Sequence, residues 1–120
     1  MTTAATKFDI DALARSIEAR DAEGVVRHYA DDAEMTLVDR DNPPSNPRRL
    51  RGKDEIGRWF EEDCARDVNH RVTHTVSDDR TAGYHVSCEY PTGERVACAA
   101  LIELRDGKIA RLEGVQAWDA

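Results

Sequence analysis

The stretch VNHRVTHTV, residues 68 to 76, decides how the rest of the chain is interpreted. Side chains point alternately to the two faces of a β-strand. Every second residue of this stretch falls on one side: Val68, His70, Val72, His74 and Val76. We therefore expect a strand whose inner face carries two histidines among three valines and lines the interior of the domain.

Four strands are predicted in this half of the chain, over residues 68 to 77, 82 to 90, 94 to 105 and 108 to 118. The segments between them are short and rich in turn-forming residues: SDDR, PTG and DG. Short turns of this kind join antiparallel neighbours. The sequence therefore predicts a four-stranded meander.

The first half of the chain carries helical periodicity. Apolar residues recur at i, i+3, i+4 and i+7 from Ile10 to Ile17 and again from Ala22 to Tyr29, with Asp9 and Asp21 as predicted caps. A short strand is expected over residues 34 to 38, a proline-rich loop over 39 to 49 and a third helix over about 53 to 66. Helices gathered on one side of an antiparallel sheet define an α+β fold.

Length and composition restrict the class of protein. The 120 residues suit a single domain, which we expect over residues 9 to 120 after a frayed tail at 1 to 8. The net charge of −7 argues against nucleic-acid binding, and no apolar run is long enough to span a membrane. Three cysteines without a CxxC pair are typical of the reducing cytoplasm.

Four stretches of the chain resemble the NTF2-like superfamily in its SnoaL-like, or polyketide-cyclase-like, branch: ARDAEGVVRHYADDAEM, LRGKDEIGRWF, HRVTHTVSDDRTA and LIELRDGKIARLEGVQ. The resemblance implies a cone in which a curved antiparallel sheet wraps around three helices and encloses an apolar pocket. It also implies a homodimer formed through the outer sheet face. One fold of this kind serves isomerases, cyclases, dehydratases, epoxide hydrolases and non-catalytic modules, so function depends on the pocket residues.

Ketosteroid isomerase chemistry needs an aspartate base and an oxyanion hole made by a tyrosine and a protonated aspartate. By resemblance, these three positions fall at Leu13, at or beside Leu37, and near Ala100. All three residues are apolar, so we do not expect ketosteroid isomerase activity.

The same alternation, applied to the other predicted strands, identifies the side chains that are expected to face a ligand. His70 is the expected general acid or base, with His74, Asp39 and Tyr84 assisting, because an unperturbed histidine titrates near neutral pH. Alternatively, either histidine is a core residue bonded to the backbone or to a tyrosine, or is solvated near the sheet edge. The predicted ligand-binding residues are Trp59, Tyr84, Val86, Cys88, Tyr90, Leu112 and Gln116.

Other chemistry is not indicated by the sequence. No third metal-binding residue has a sequence spacing from the two histidines that is typical of a metal site. We therefore expect neither a metal nor an organic cofactor. Cys88 and Cys98 are interpreted as small apolar packing residues. The alternate residues Ala97, Ala99 and Leu101 make the outer side of their strand apolar, which favours a dimer interface.

Two functional hypotheses follow. The first is a cofactor-independent acid–base enzyme that cyclises, isomerises or dehydrates a carbonyl or polyketide-like substrate bound in the pocket. The second is a ligand-binding or dimerisation module of the same fold that performs no chemistry.

Overall fold

The computed structural model describes residues 7–119, and this part of the chain contains three helices and six strands. The helices are α1 (Ile10–Glu18), α2 (Ala22–Val26) and α3 (Gly52–Ala65). The strands are β1 (Tyr29–Val38), β2 (Arg48–Arg51), β3 (Asn69–Ser77), β4 (Thr81–Glu89), β5 (Arg95–Arg105) and β6 (Lys108–Trp118). The predicted α+β class is therefore confirmed, while most of the predicted tail, residues 1–6, lies outside the described residues.

All six strands form one open sheet in the order β2-β1-β6-β5-β4-β3. β3 to β6 are successive antiparallel neighbours, which confirms the predicted meander. Asp106 and Gly107 form the turn between β5 and β6, with φ angles of 53° and 75°. A two-residue type I′ hairpin turn requires a positive φ at both residues. The sheet is mixed rather than wholly antiparallel, because β1 runs parallel to β6. A long crossover through α3 and the meander separates these two strands, as parallel pairing demands.

The region between α2 and β1 differs from the prediction. The periodicity from Ala22 to Tyr29 predicts a helix through Tyr29, but α2 ends at Val26 and Tyr29 begins β1 opposite Ile109. Tyr29 is only 1% exposed and packs beside Phe60. Either conformation would bury this residue, so its apolar character alone does not distinguish a helix from a strand.

The predicted loop over residues 39 to 49 is shorter than expected at its C-terminal end. Residues 48 to 51 form β2, which pairs antiparallel with residues 34 to 37 of β1. Only Leu50 of this strand is buried. A single buried residue in a four-residue edge strand leaves no alternating pattern for sequence analysis to detect.

The three helices cover one face of the sheet. The predicted caps of α1 and α2 are present, since the Asp9 and Asp21 carboxylates each accept a backbone N–H at 3.0 Å. The apolar sides of the helices supply Leu13, Val25, Ile56 and Phe60 to the core. These residues pack with Ala100, Ile102 and Leu112 of the inner sheet face. In this layer α3 packs against β1 and β2.

The outer face of the sheet has no helix over it in the described part of the chain. Three large apolar side chains on this face are strongly exposed: Val76 (69%), Leu101 (70%) and Val115 (54%). Ala97, Ala99 and Leu101 do point outward, as the alternation in β5 predicts. Within residues 7–119, no helix is both long and apolar enough to cross a membrane.

Candidate functional site

A cavity of about 350 Å³ lies between the helices and the inner sheet face. Ligand pockets in proteins commonly have volumes of about 300 to 1,000 Å³, so a small ligand would fit. The cavity wall includes His70, Asp39 and the whole predicted ligand-binding set: Trp59, Tyr84, Val86, Cys88, Tyr90, Leu112 and Gln116. These residues lie together because alternate side chains of β4 to β6 point inward and because α3 lies on that side of the sheet.

His70 is a buried polar residue of this wall. It is 7% exposed and stands directly opposite Cys88 in the β3–β4 pairing. The Nδ1 atom of His70 lies 3.2 Å from the Sγ atom of Cys88. Its Nε2 atom lies 3.7 Å from Oδ2 of Asp63 and makes no hydrogen bond despite being buried.

Asp63 is the functional candidate that the sequence analysis missed. It lies on α3 three residues after Phe60 and seven after Ile56, so it continues the apolar stripe of that helix. A carboxylate on an otherwise apolar helical stripe was the available signal. Burial raises the pKa of Asp63 above its ordinary value, while the nearby His70 and Arg66 act in the opposite direction.

The charges of His70 and Cys88 are coupled through their contact. The hydrogen bond to Cys88 raises the pKa of His70, burial opposes this, and the charges of Cys88 and Asp63 add to the increase. Hydrogen bonds from Cys98 and from His70 lower the pKa of the Cys88 thiol against the effect of burial. The same contact with Cys88, together with burial, raises the pKa of Cys98. Both shifts at the His70–Cys88 contact make transfer of the thiol proton to the imidazole more favourable.

His74 does not share the inner face with His70, so this part of the site prediction is wrong. The β3–β4 register shifts between Val72 and His74, where one extra residue, Thr73, is accommodated. Such a bulge reverses the alternation of all residues beyond it. His74 is consequently exposed, lies beside His85 with ring centroids 6.5 Å apart, and is not part of the cavity wall.

Asp39 lies at the cavity wall, but its carboxylate does not orient a histidine in the described structure. Its Oδ1 atom accepts hydrogen bonds from the backbone N–H groups of Asp41 and Asn42 and from the Asn42 side chain, each at 2.9 Å. These bonds shape the loop that follows β1. The carboxylate that lies beside His70 is that of Asp63, not that of Asp39.

Aromatic and charged residues surround another part of the cavity wall. The Arg40 guanidinium lies 4.1 Å from the centre of the Trp118 ring and 3.4 Å from a Glu94 carboxylate oxygen. Trp118 also stacks at 5.8 Å on Tyr90 and donates from Nε1 to Gln116. The loop after β1 is thereby connected to the β4–β5 hairpin and to the end of β6.

The same geometry bears on ketosteroid isomerase chemistry and on metal binding. The positions that correspond to ketosteroid isomerase residues, Leu13, Leu37 and Ala100, are all buried in the apolar core. Among residues 7–119, no group of three or more histidine, cysteine, aspartate or glutamate side chains is arranged to hold a metal ion.

A helical layer on a mixed sheet, with a polar group buried in the cavity between them, defines the class of cone-shaped α+β proteins to which the sequence resemblance points. The family model for the SnoaL-like domain matches residues 10–112. The chain therefore belongs to the SnoaL-like family, as its sequence motifs predict.

Solved structures support the same fold. A candidate ketosteroid isomerase from Kribbella flavida aligns over 92% of this chain and 75% of its own, with a TM-score of 0.73 and 20% identity. A SnoaL-like protein of unknown function from Burkholderia thailandensis aligns over 92% and 90%, with a TM-score of 0.67 and 20% identity. SalBIII, an epoxide hydrolase/cyclase-like enzyme of pyran ring formation in salinomycin, aligns over 90% and 87%, with a TM-score of 0.67 and 16% identity. The comparison with curated proteins gives no match.

Proposed function

We propose that this protein is a cofactor-independent enzyme that catalyses acid–base chemistry on a small apolar carbonyl or polyketide-like compound. His70 is the general acid or base, and Asp63 positions it. The observation that carries the proposal is the buried His70 imidazole, which lies in a cavity lined by both apolar and polar side chains, with a carboxylate 3.7 Å from its Nε2 atom. Buried titratable groups with specific charge partners are common at catalytic sites.

The geometry suggests how the proton is handled. The Asp63 carboxylate favours a proton on Nε2, which leaves Nδ1 as the basic nitrogen of the neutral ring. A ligand that displaces the Cys88 thiol from Nδ1 would present an acidic C–H or O–H to that nitrogen. Removal of a proton beside a carbonyl gives an enolate, the common intermediate of isomerisation and of aldol-type ring closure and dehydration.

This chemistry can be tested without knowledge of the natural substrate. We propose measuring α-proton exchange in D₂O by NMR for cyclohexanone and 2-methylcyclohexanone, two rings that exchange slowly without a catalyst. Wild-type protein should accelerate exchange, and His70→Gln should reduce the acceleration by about 100-fold or more, the usual contribution of a general base.

His74→Gln is the matched control, because it removes a histidine of the same strand that lies outside the cavity. This variant should exchange at the wild-type rate. Equal exchange by His70→Gln and wild type would exclude His70 as the base. Exchange no faster than in buffer, combined with ligand-dependent changes in tryptophan fluorescence, would instead favour a binding module without chemistry, since Trp59 and Trp118 both line the cavity.

We also propose that two copies of this chain associate through the outer sheet face. Leu101 and Val115, on neighbouring strands of that face, are more than half exposed, and exposed apolar patches often mark protein–protein interfaces. A cytoplasmic location is proposed as well, because the three free thiols suit a reducing compartment.

A further inference from the structure

The proposed acid–base function leaves one reactive group of the cavity without a role. Cys88 lines the cavity, and its Sγ atom contacts Nδ1 of His70 at 3.2 Å. Asp63 stands on the opposite side of the same imidazole. A thiol, an imidazole and a carboxylate therefore follow one another, contributed by β4, β3 and α3.

This order is the one that activates a nucleophile. A thiol is converted to the reactive thiolate by an adjacent base, and the base is oriented by a third group. The Nε2 atom of His70, buried and without a hydrogen bond, faces Asp63, so the proton on the ring belongs on that side. Nδ1 is then free to accept the proton of the Cys88 thiol.

We propose that Cys88 is a nucleophile that adds to α,β-unsaturated carbonyl compounds bound in the cavity. The thiol proton moves to Nδ1 of His70, and the sulfur forms a bond to the β-carbon of the ligand. The carbon–carbon π bond breaks, and its electron pair moves to the carbonyl oxygen to give an enolate. His70 then returns the proton to the α-carbon, so the net reaction adds S–H across the double bond and requires no further reactant.

The other two cysteines are in settings that disfavour the same reaction. Burial and the negative charges of Asp63 and Asp21 raise the pKa of Cys64. The contact with Cys88, together with burial, raises the pKa of Cys98. Neither Cys64 nor Cys98 has a histidine contact among the described hydrogen bonds, whereas the Cys88 thiol has its pKa lowered by both Cys98 and His70. The proposal thus predicts selectivity within a single chain.

The test uses the full chain and 2-cyclohexen-1-one, the unsaturated counterpart of the cyclohexanone probe. Intact mass spectrometry follows adduct formation, and peptide mapping locates the adduct. Modification should occur first at Cys88, and His70→Gln should slow it by about 100-fold. His74→Gln should leave the rate unchanged. Equal modification of Cys64 or Cys98 in wild-type protein, or an unchanged rate in folded His70→Gln, would overturn the proposal.

The inference rests on the same His70–Asp63 pair as the proposed function, but the two can fail separately. Exchange of cyclohexanone without selective adduct formation at Cys88 would overturn the thiol proposal and leave the acid–base function standing. Adduct formation at Cys88 without ketone exchange would do the reverse. Peptide mapping of the wild-type protein needs no substitution, so the selectivity result does not depend on the folding of any variant.

Discussion

The Nδ1 atom of His70 and the Sγ atom of Cys88 lie 3.2 Å apart because β3 and β4 place these residues directly opposite each other. The contact is therefore a property of the sheet register. Asp63 reaches the other imidazole nitrogen from α3, so its 3.7 Å distance depends on how the helical layer sits on the sheet. The His70–Cys88 contact and the His70–Asp63 contact can therefore be perturbed separately by substitution.

Asp63→Asn should lower the turnover of α-proton exchange by about 10- to 100-fold and change KM much less, because the Asp63 carboxylate, although it lines the cavity, acts on the reaction through His70. The amide nearly preserves the shape of the side chain but removes its charge. Glu61→Gln is the control, because it removes the same charge from an exposed position of the same helix. An unchanged turnover would show that the carboxylate does not support the imidazole.

Cys88→Ala should lower the pKa of His70. The hydrogen bond to Cys88 is the largest cause of the increase in this pKa, and burial, which favours the neutral ring, opposes it. Without the thiol, burial is opposed mainly by the charge of Asp63. NMR titration of the His70 imidazole checks this directly, with Cys64→Ala as the control; an unaltered pKa in Cys88→Ala would contradict it.

The raised pKa of His70 has a consequence for stability. Its folded-state value lies above the ordinary value of 6.5, so protonated His70 contributes stability that is fully present below pH 6.5 and is lost as the pH rises through the folded-state pKa. The free energy of unfolding of wild type should therefore exceed that of His70→Gln by the largest margin below pH 6.5. The margin should become smaller above pH 6.5. Urea denaturation across this range measures the difference.

Three charged or titratable groups act on His70 in that experiment: Cys88, Asp63 and Arg20. Asp63 titrates at the acid end because burial raises its pKa, so the comparison should be repeated in an Asp63→Asn background. A difference between wild type and His70→Gln that grows with rising pH in both backgrounds would contradict the predicted sign.

The sequence predicts the meander well because its signals are local. The turn residues Asp106 and Gly107 require no knowledge of distant strands, and the period-2 pattern of β5 determines which side chains point inward. The parallel pairing of β1 with β6 depends instead on contacts between segments far apart in the chain, and the short β2 has only one buried residue. No local pattern encodes them.

The candidate site could be predicted only in part for a related reason. Strict alternation places His70 and His74 together, but the bulge at Thr73 separates them, and a bulge changes neither composition nor apparent period. Asp63 was within reach of sequence analysis, since it interrupts the apolar stripe of α3. Its pairing with His70 follows from helix-on-sheet packing, which sequence periodicity does not determine.

Tyr29→Phe should leave the free energy of unfolding unchanged or raise it slightly. The Tyr29 hydroxyl is buried without a hydrogen-bond partner, so its removal relieves a desolvation cost and loses no bond. Tyr29→Ala should cost about 3 to 5 kcal/mol, as is usual when a buried aromatic ring is removed. Urea denaturation of both variants tests the pair, and a loss above about 1 kcal/mol in Tyr29→Phe would indicate a hydrogen bond that matters for stability.

Leu101→Glu should convert the proposed dimer to a monomer. Leu101 lies on the outer face of β5 and is 70% exposed, so a charge there costs the isolated chain little but would be buried without a partner in a sheet-to-sheet interface. Size-exclusion chromatography with light scattering gives the mass directly. Ala65→Glu introduces the same charge at an exposed position of α3 and should leave the mass of a dimer unchanged. A monomeric wild-type protein, or loss of the dimer in both variants, would rule out association through this face.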